Sequence, residues 1–210
     1  DIIISGYLGS IEQIDMVKSI KRDFLKEGGL MIVDPVMGDN GKLYTHFDDR
    51  FVREMRGLCA EADVIVPNLT EASFLTGCDY SSIQESDYPA LLEKLGQFCP
   101  LPSVTGCDIE CGGRTMCAVF YTRADGSAAH FATEKIEGAF HGAGDVYASA
   151  LVGCLARGVD MDEAVRIAAQ FTTESIRQTA LDGTEARYGL NSESRMYAYL
   201  QALDKAARKA

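Results

Sequence analysis

The run Phe140-His141-Gly142-Ala143-Gly144-Asp145 places two glycines, a small spacer and a carboxylate directly ahead of Val146-Tyr147-Ala148-Ser149-Ala150-Leu151-Val152-Gly153. The second stretch is apolar, rich in small residues, and reads as a helix. Glycines admit positive φ and let backbone N–H groups converge with no Cβ in the way. The helix start adds N–H donors that have no intrahelical acceptor, together with the positive end of the helix dipole. The turn is therefore a candidate anion hole. A carboxylate beside it, Asp145, can take a proton from an alcohol while the hole holds charge on a transferring phosphoryl group. The plainer reading of the same residues is a tight helix start with Asp145 as its N-cap.

A second set of candidates lies at the ends of short apolar runs. Ile2-Ile3-Ile4 leads to Gly6-Tyr7, Leu30-Met31-Ile32-Val33 to Asp34, Val64-Ile65-Val66 to Asn68 with Glu71, and Val104 to Thr105-Gly106. Each run is apolar on both faces and is followed by a helical pattern. Ser10 and Gln13 form a capping box for a helix that reaches about Lys26 and stops at Gly28-Gly29. Further helices are predicted over 48–60, 70–76 and 87–98, and in the last third over 146–157, 162–179 and 194–209. Strands 117–122 and 127–135, joined by Ala124-Asp125-Gly126, form an antiparallel hairpin before those last helices. Gly38 to Tyr44 reads as a polar loop. This is the pattern of an α/β protein, with a mostly parallel central sheet flanked by helices on both faces. In such sheets ligands bind beyond the carboxyl ends of the strands. Acidic groups, an amide, a hydroxyl and an anion hole gathered there suit a metal–nucleotide phosphate and an alcohol acceptor.

The 210 residues fit one domain, and 47% hydrophobic residues suffice for a sizeable core. A net charge of −11 argues against nucleic acid or an anionic membrane as partner. No run approaches the length of a membrane span, and the first residues do not read as a signal peptide. The seven cysteines read as structural thiols of a reducing cytosol. Cys59, Cys78, Cys99 and Cys154 look like small hydrophobic residues, and the spacing of Cys107, Cys111 and Cys117 matches no zinc pattern. His46, His130 and His141 are too dispersed for a metal triad.

The ordered set Gly6-Tyr7-Leu8-Gly9-Ser10, Asp34-Pro35-Val36-Met37-Gly38-Asp39, Val66-Pro67-Asn68-Leu69-Thr70-Glu71-Ala72, Val104-Thr105 and Gly142-Ala143-Gly144-Asp145 resembles the pyridoxal kinase family, a branch of the ribokinase-like kinases. The resemblance implies ATP-dependent phosphorylation of the 5′-hydroxymethyl group of a B6 vitamer, with ATP and the vitamer as partners. It implies Asp145 as general base and as a vitamer contact, and the amides of Gly142, Ala143 and Gly144 as the anion hole. Asp34, Asn68 and Glu71 would form the shell of Mg²⁺, directly or through water; a monovalent cation is left open. Thr105, Gly106, Asp39 and Tyr44 would border the nucleotide, and Tyr7 the pyridine ring. A cytoplasmic homodimer is the usual form. Relatives carry Thr where this chain has Ala143. They also have an N-terminal strand and flap before Gly-Tyr-Leu-Gly, so residues 1–210 read as one kinase domain truncated at its N-terminus. Ile2-Ile3-Ile4 would then be an interior strand whose outer neighbour comes from upstream. Hydroxymethylpyrimidine kinase, a sugar kinase and a catalytically weak nucleotide- or B6-binding protein are the competing readings.

Overall fold

The computed structural model describes residues 1–183, 185 and 188–209. The chain forms two compact units, Asp1–Cys107 with Phe120–His130, and Asp108–Val119 with Phe131–Ala210. The first holds β1 (Ile2–Ser5), α1 (Ile11–Phe24), β2 (Leu30–Val33), β3 (Gly38–Asp39), β4 (Lys42–Leu43), α2 (Asp49–Cys59), β5 (Val64–Ile65), α3 (Leu69–Thr76) and α4 (Tyr88–Gly96). Strands β6 (Leu101–Cys111), β7 (Arg114–Thr122) and β8 (Ala128–Glu134) have residues in both units. Helices α5 (Ala143–Leu155), α6 (Met161–Asp182) and α7 (Met196–Ala207) belong to the second.

Six strands form one sheet in the order β1-β2-β5-β6-β7-β8. The pairs β1–β2, β2–β5 and β5–β6 are parallel, with Ser5 opposite Val33, Val33 opposite Ile65, and Ile65 opposite Pro102. Met31, Ile32, Val33, Val64 and Ile65 are buried, as strands covered on both faces require. Helix α2 shows how a covering helix is encoded. Phe51, Met55, Leu58 and Cys59 fall on one buried stripe, and Asp48 caps the helix by accepting from the Phe51 N–H at 2.9 Å. In the second unit α6 buries a stripe that includes Thr172, Ser175 and Thr179. Each hydroxyl donates to the carbonyl four residues earlier, at 2.8–2.9 Å, so the buried oxygens are satisfied within the helix.

The α/β architecture expected from the sequence is present, with local differences. The fourth strand runs on to Cys111. Its burial is continuous up to Val104 and then alternates through Cys107 and Ile109, as it passes from the parallel sheet into an antiparallel meander. Gly112 and Gly113, both at positive φ (59° and 76°), make the tight turn into β7, so β6, β7 and β8 form two consecutive hairpins where one was expected. Gly38 to Tyr44 is not a plain loop. Gly38 pairs with Leu43 and Asp39 with Lys42 across an Asn40-Gly41 turn, with φ of 51° and 75°. At the start of α1, Gln13 Oε1 accepts from Gly9 N–H at 2.6 Å, one residue earlier than a capping box requires. Strand β1 comes first in that sheet among the described residues, and its Ile4 is 45% exposed.

Candidate functional site

In the first unit the parallel register aligns the carboxyl ends of β1, β2 and β5 with Thr105, which lies midway along β6 and does not end it. Asp34 N–H donates to Ser5 O at 2.9 Å, which sets Asp34 beside the Ser5-Gly6 end of β1. Val66 N–H donates to Val33 O, and Thr105 N–H donates to Pro67 O, both at 2.9 Å. An isolated parallel bridge pairs Asn68 with Thr105. Gly6, Asp34, Asn68 and Thr105 therefore share one edge, where an open parallel sheet binds ligands. Gly106 follows at positive φ (70°) with open space where a Cβ would stand.

Helix α3 begins at this edge with a reciprocal capping box. Asn68 Oδ1 accepts from Glu71 N–H at 2.9 Å, and Glu71 Oε2 accepts from Asn68 N–H at 2.8 Å. Glu71 Oε1 accepts from Met37 N–H at 3.1 Å, and Asn68 Nδ2 donates to Gly38 O at 2.9 Å. Asn68 thus serves as the helix cap that was its simpler reading, and it also ties the β3–β4 hairpin to α3. Glu71 is 2% exposed. Burial pushes its carboxyl up to about 8; the Asn68 N–H opposes this, the charge of Asp34 adds to it, and the N–H groups of Met37 and Gly38 oppose it. A buried carboxyl beside a second carboxylate is a place a hard cation can stabilise. Among the described residues no group of three or more His, Cys, Asp or Glu side chains is arranged to hold a metal.

The hairpin carries Asp39, whose carboxylate accepts from Asn40 N–H at 2.8 Å and from Asn40 Nδ2 at 2.9 Å. Tyr44 follows, 40% exposed, with its N–H donating to Met37 O at 2.9 Å. Tyr7 is 55% exposed and so is not a core aromatic. Its ring lies 5.8 Å from Phe47, which stacks on Phe51 at 3.9 Å. Phe47, Thr70 and Tyr80 escaped the sequence reading. The Asn40-Gly41 dipeptide was the signal for the hairpin that Thr70 and Tyr80 contact.

In the second unit α5 starts at Gly142, whose φ of 82° is left-handed and whose O accepts the first helical bond, from Val146 N–H at 3.0 Å. Gly142, as the N-cap, brings no side chain to cap this end. Asp145 stands at the third helical position and is exposed, so it is not the N-cap. The N–H groups of Ala143, Gly144 and Asp145 have no acceptor within the helix, as at every helix start. Gly144 has open space in place of a side chain. The turn offers backbone donors without intrahelical acceptors, the last of them on Asp145, whose side chain is exposed.

One cysteine reading changes. Cys78 is not an inert small hydrophobe: it is partly exposed and accepts a hydrogen bond from Lys94 Nζ at 3.1 Å. Desolvation is the largest single influence and raises its thiol, but hydrogen bonds from Thr76 and Lys94 and the charge of Lys94 together outweigh it, so the thiol lies below the ordinary range. The thiols of Cys59, Cys99, Cys117 and Cys154 are pushed up by burial.

A sequence profile of the family described as phosphomethylpyrimidine kinase matches residues 2–189. A pyridoxine kinase of Bacillus subtilis is 30% identical over 189 residues, covering 85% of this chain and 65% of the relative. A Bacteroides thetaiotaomicron protein crystallised with pyridoxal superposes with a TM-score of 0.83 at 32% identity, over 97% of this chain and 71% of that one. An ADP complex of Bacillus subtilis pyridoxal kinase superposes with a TM-score of 0.68 at 26% identity, over 82% and 63%. The chain thus spans just under two thirds of the pyridoxine kinase it matches.

Proposed function

We propose that this chain, which belongs to the phosphomethylpyrimidine kinase family and to the pyridoxal kinases of the ribokinase-like superfamily, carries the nucleotide and phosphoryl-transfer apparatus of a B6-vitamer kinase. The observation that carries the reading is the start of α5. There a left-handed Gly142 precedes a helix whose first N–H groups have no intrahelical acceptor, and an exposed Asp145 stands at the third helical position. Asp145 acts as general base on the 5′-hydroxymethyl group, and the amides of Gly142, Ala143 and Gly144 hold the transferring phosphoryl group. Replacing threonine by Ala143 leaves those amides in place.

The strand-end cluster serves the nucleotide. Asp34 and Glu71 are the carboxylates of a Mg²⁺ shell completed by water and phosphate oxygens, and Asn68 acts there by capping and orienting Glu71. When bound, Mg²⁺ neutralises phosphate charge and offsets the repulsion between the two carboxylates. Thr105, Gly106, Asp39 and Tyr44 border the nucleotide. Tyr7, held against Phe47, lines the vitamer pocket.

The family's own description keeps one alternative acceptor in play, a hydroxymethylpyrimidine. The test is phosphorylation of pyridoxal, pyridoxine, pyridoxamine and hydroxymethylpyrimidine with ATP and Mg²⁺, by the parent protein and by Asp145→Asn. The expected result is preference for a B6 vitamer and a fall in kcat of about 10²–10⁴-fold in the variant, the scale of general-base catalysis. Preference for the pyrimidine would reassign the acceptor. A variant within a few-fold of the parent would remove Asp145 from the base role.

A further inference from the structure

The β3–β4 hairpin is four paired residues around a two-residue turn, too small to hold its own position in water. Its seat must come from outside, and α3 supplies it. Asn68 Nδ2 holds Gly38 O, and Glu71 Oε1 holds Met37 N–H, but both act at the root of the hairpin. The tip is held separately. Gly41 N–H donates to Thr70 Oγ1 at 2.9 Å, across 29 residues of sequence. Thr70 is 2% exposed and sits in the first turn of α3, where its hydroxyl is not needed to cap its own helix because Asn68 does that. On the other side of the tip the ring of Tyr80 presses against Gly41. A Cβ at Gly41 would stand 2.6 Å from Tyr80 Cδ1, and the φ of +75° already demands glycine. The tip is thus clamped between a buried hydroxyl and an aromatic face.

We infer that Thr70 and Tyr80 are positioning residues of the nucleotide site, which latch the hairpin tip so that the segment from Asp39 to Tyr44 is preorganised for the polyphosphate; this rests on the proposed nucleotide role of that segment. Neither side chain contacts the nucleotide in this scheme. They act through the backbone of Gly41, and preorganisation lowers the ordering cost that the ligand would otherwise meet. The hydroxyl of Thr70 is the specific element, since valine keeps its shape and removes its acceptor.

The test compares the parent with Thr70→Val, Thr70→Ser and Tyr80→Leu. Three quantities are measured: the exchange rate of the Gly41 amide, the Kd for ADP with Mg²⁺, and the Kd for pyridoxal. Thr70→Val is expected to speed Gly41 exchange and to weaken ADP about 5–10-fold, the scale of one hydrogen bond, while pyridoxal binding stays within twofold. Thr70→Ser is expected to restore both parent values, which a merely structural role for the threonine methyl would not allow. Tyr80→Leu is expected to shift ADP and Gly41 exchange in the same direction as Thr70→Val. Unchanged Gly41 exchange in Thr70→Val would overturn the latch. Faster exchange with unchanged ADP affinity would overturn its role at the site. A parent protein that binds no ADP would overturn the nucleotide reading itself, and the role of the latch with it.

Discussion

Glu71 gives the sharpest quantitative test of the site, because two physical effects compete on one carboxyl. Burial and the neighbouring Asp34 disfavour its charge, whereas N–H groups from Asn68, Met37 and Gly38 favour it. If burial wins, the folded-state pKa is about 8 against an ordinary 4.5. Between those values the native protein keeps a proton that the unfolded chain releases, so stability falls as pH rises through this window. At 1.36 kcal/mol per pH unit the loss approaches ~4 kcal/mol by pH 8. Glu71→Gln cannot ionise, so it removes the slope. It also turns an amide donor toward a backbone N–H, at a cost of about 1–3 kcal/mol. The variant should therefore be the less stable protein at pH 5 and should match or exceed the parent by pH 8. Urea unfolding followed by circular dichroism at half-unit pH steps, in chelator, measures the difference directly. A difference between the two proteins that stays constant from pH 5 to pH 8 would show that the N–H donors win and that Glu71 is ionised throughout. Added Mg²⁺ should restore parent stability at pH 8, since a cation favours the charged form, and should leave Glu71→Gln little changed.

Two further outcomes are expected. In the second unit Tyr199 Oη donates to Ala150 O at 2.9 Å and lies where a Cβ on Gly153 would stand. Tyr199→Phe should cost about 1 kcal/mol and Gly153→Ala more, with the double variant less unstable than the sum, as a double-mutant cycle of thermal unfolding would show. Cys78 should alkylate with iodoacetamide at neutral pH ahead of the buried Cys59, Cys99, Cys107 and Cys154, and Lys94→Met should slow it several-fold; peptide mapping that finds Cys78 unlabelled or indifferent to Lys94 would contradict the pairing.

Legibility of this fold followed the range of the interactions involved. The parallel strands could be read because burial on both faces forces unbroken apolar runs such as Met31-Ile32-Val33, and the polar residues after them mark the strand ends. Helix α2 could be read because four buried positions repeat at helical spacing. The long β6 could not, since Gly106 and Asp108 interrupt its apolar pattern where the burial period changes.

The candidate site divides along the same line. Asp34, Asn68, Glu71 and the Gly142–Asp145 turn announce themselves by residue type at element ends, where local rules apply. The groups that hold them do not. Thr70 is an ordinary β-branched residue in a helix, and nothing within a few residues of it indicates that its hydroxyl serves Gly41. Tyr80 sits in a short 3-10 turn and becomes meaningful only against the bare face of that glycine. A hydrogen bond across 29 residues leaves no periodicity and no motif. What it leaves is a requirement that Asn40-Gly41, left-handed at both positions, be clamped from outside. The turn dipeptide is legible, and its clamp becomes visible only once the fold has brought α3 beneath it. Residues that touch substrate are constrained by chemistry and so recur as types, whereas residues that position them need only the right shape and one acceptor.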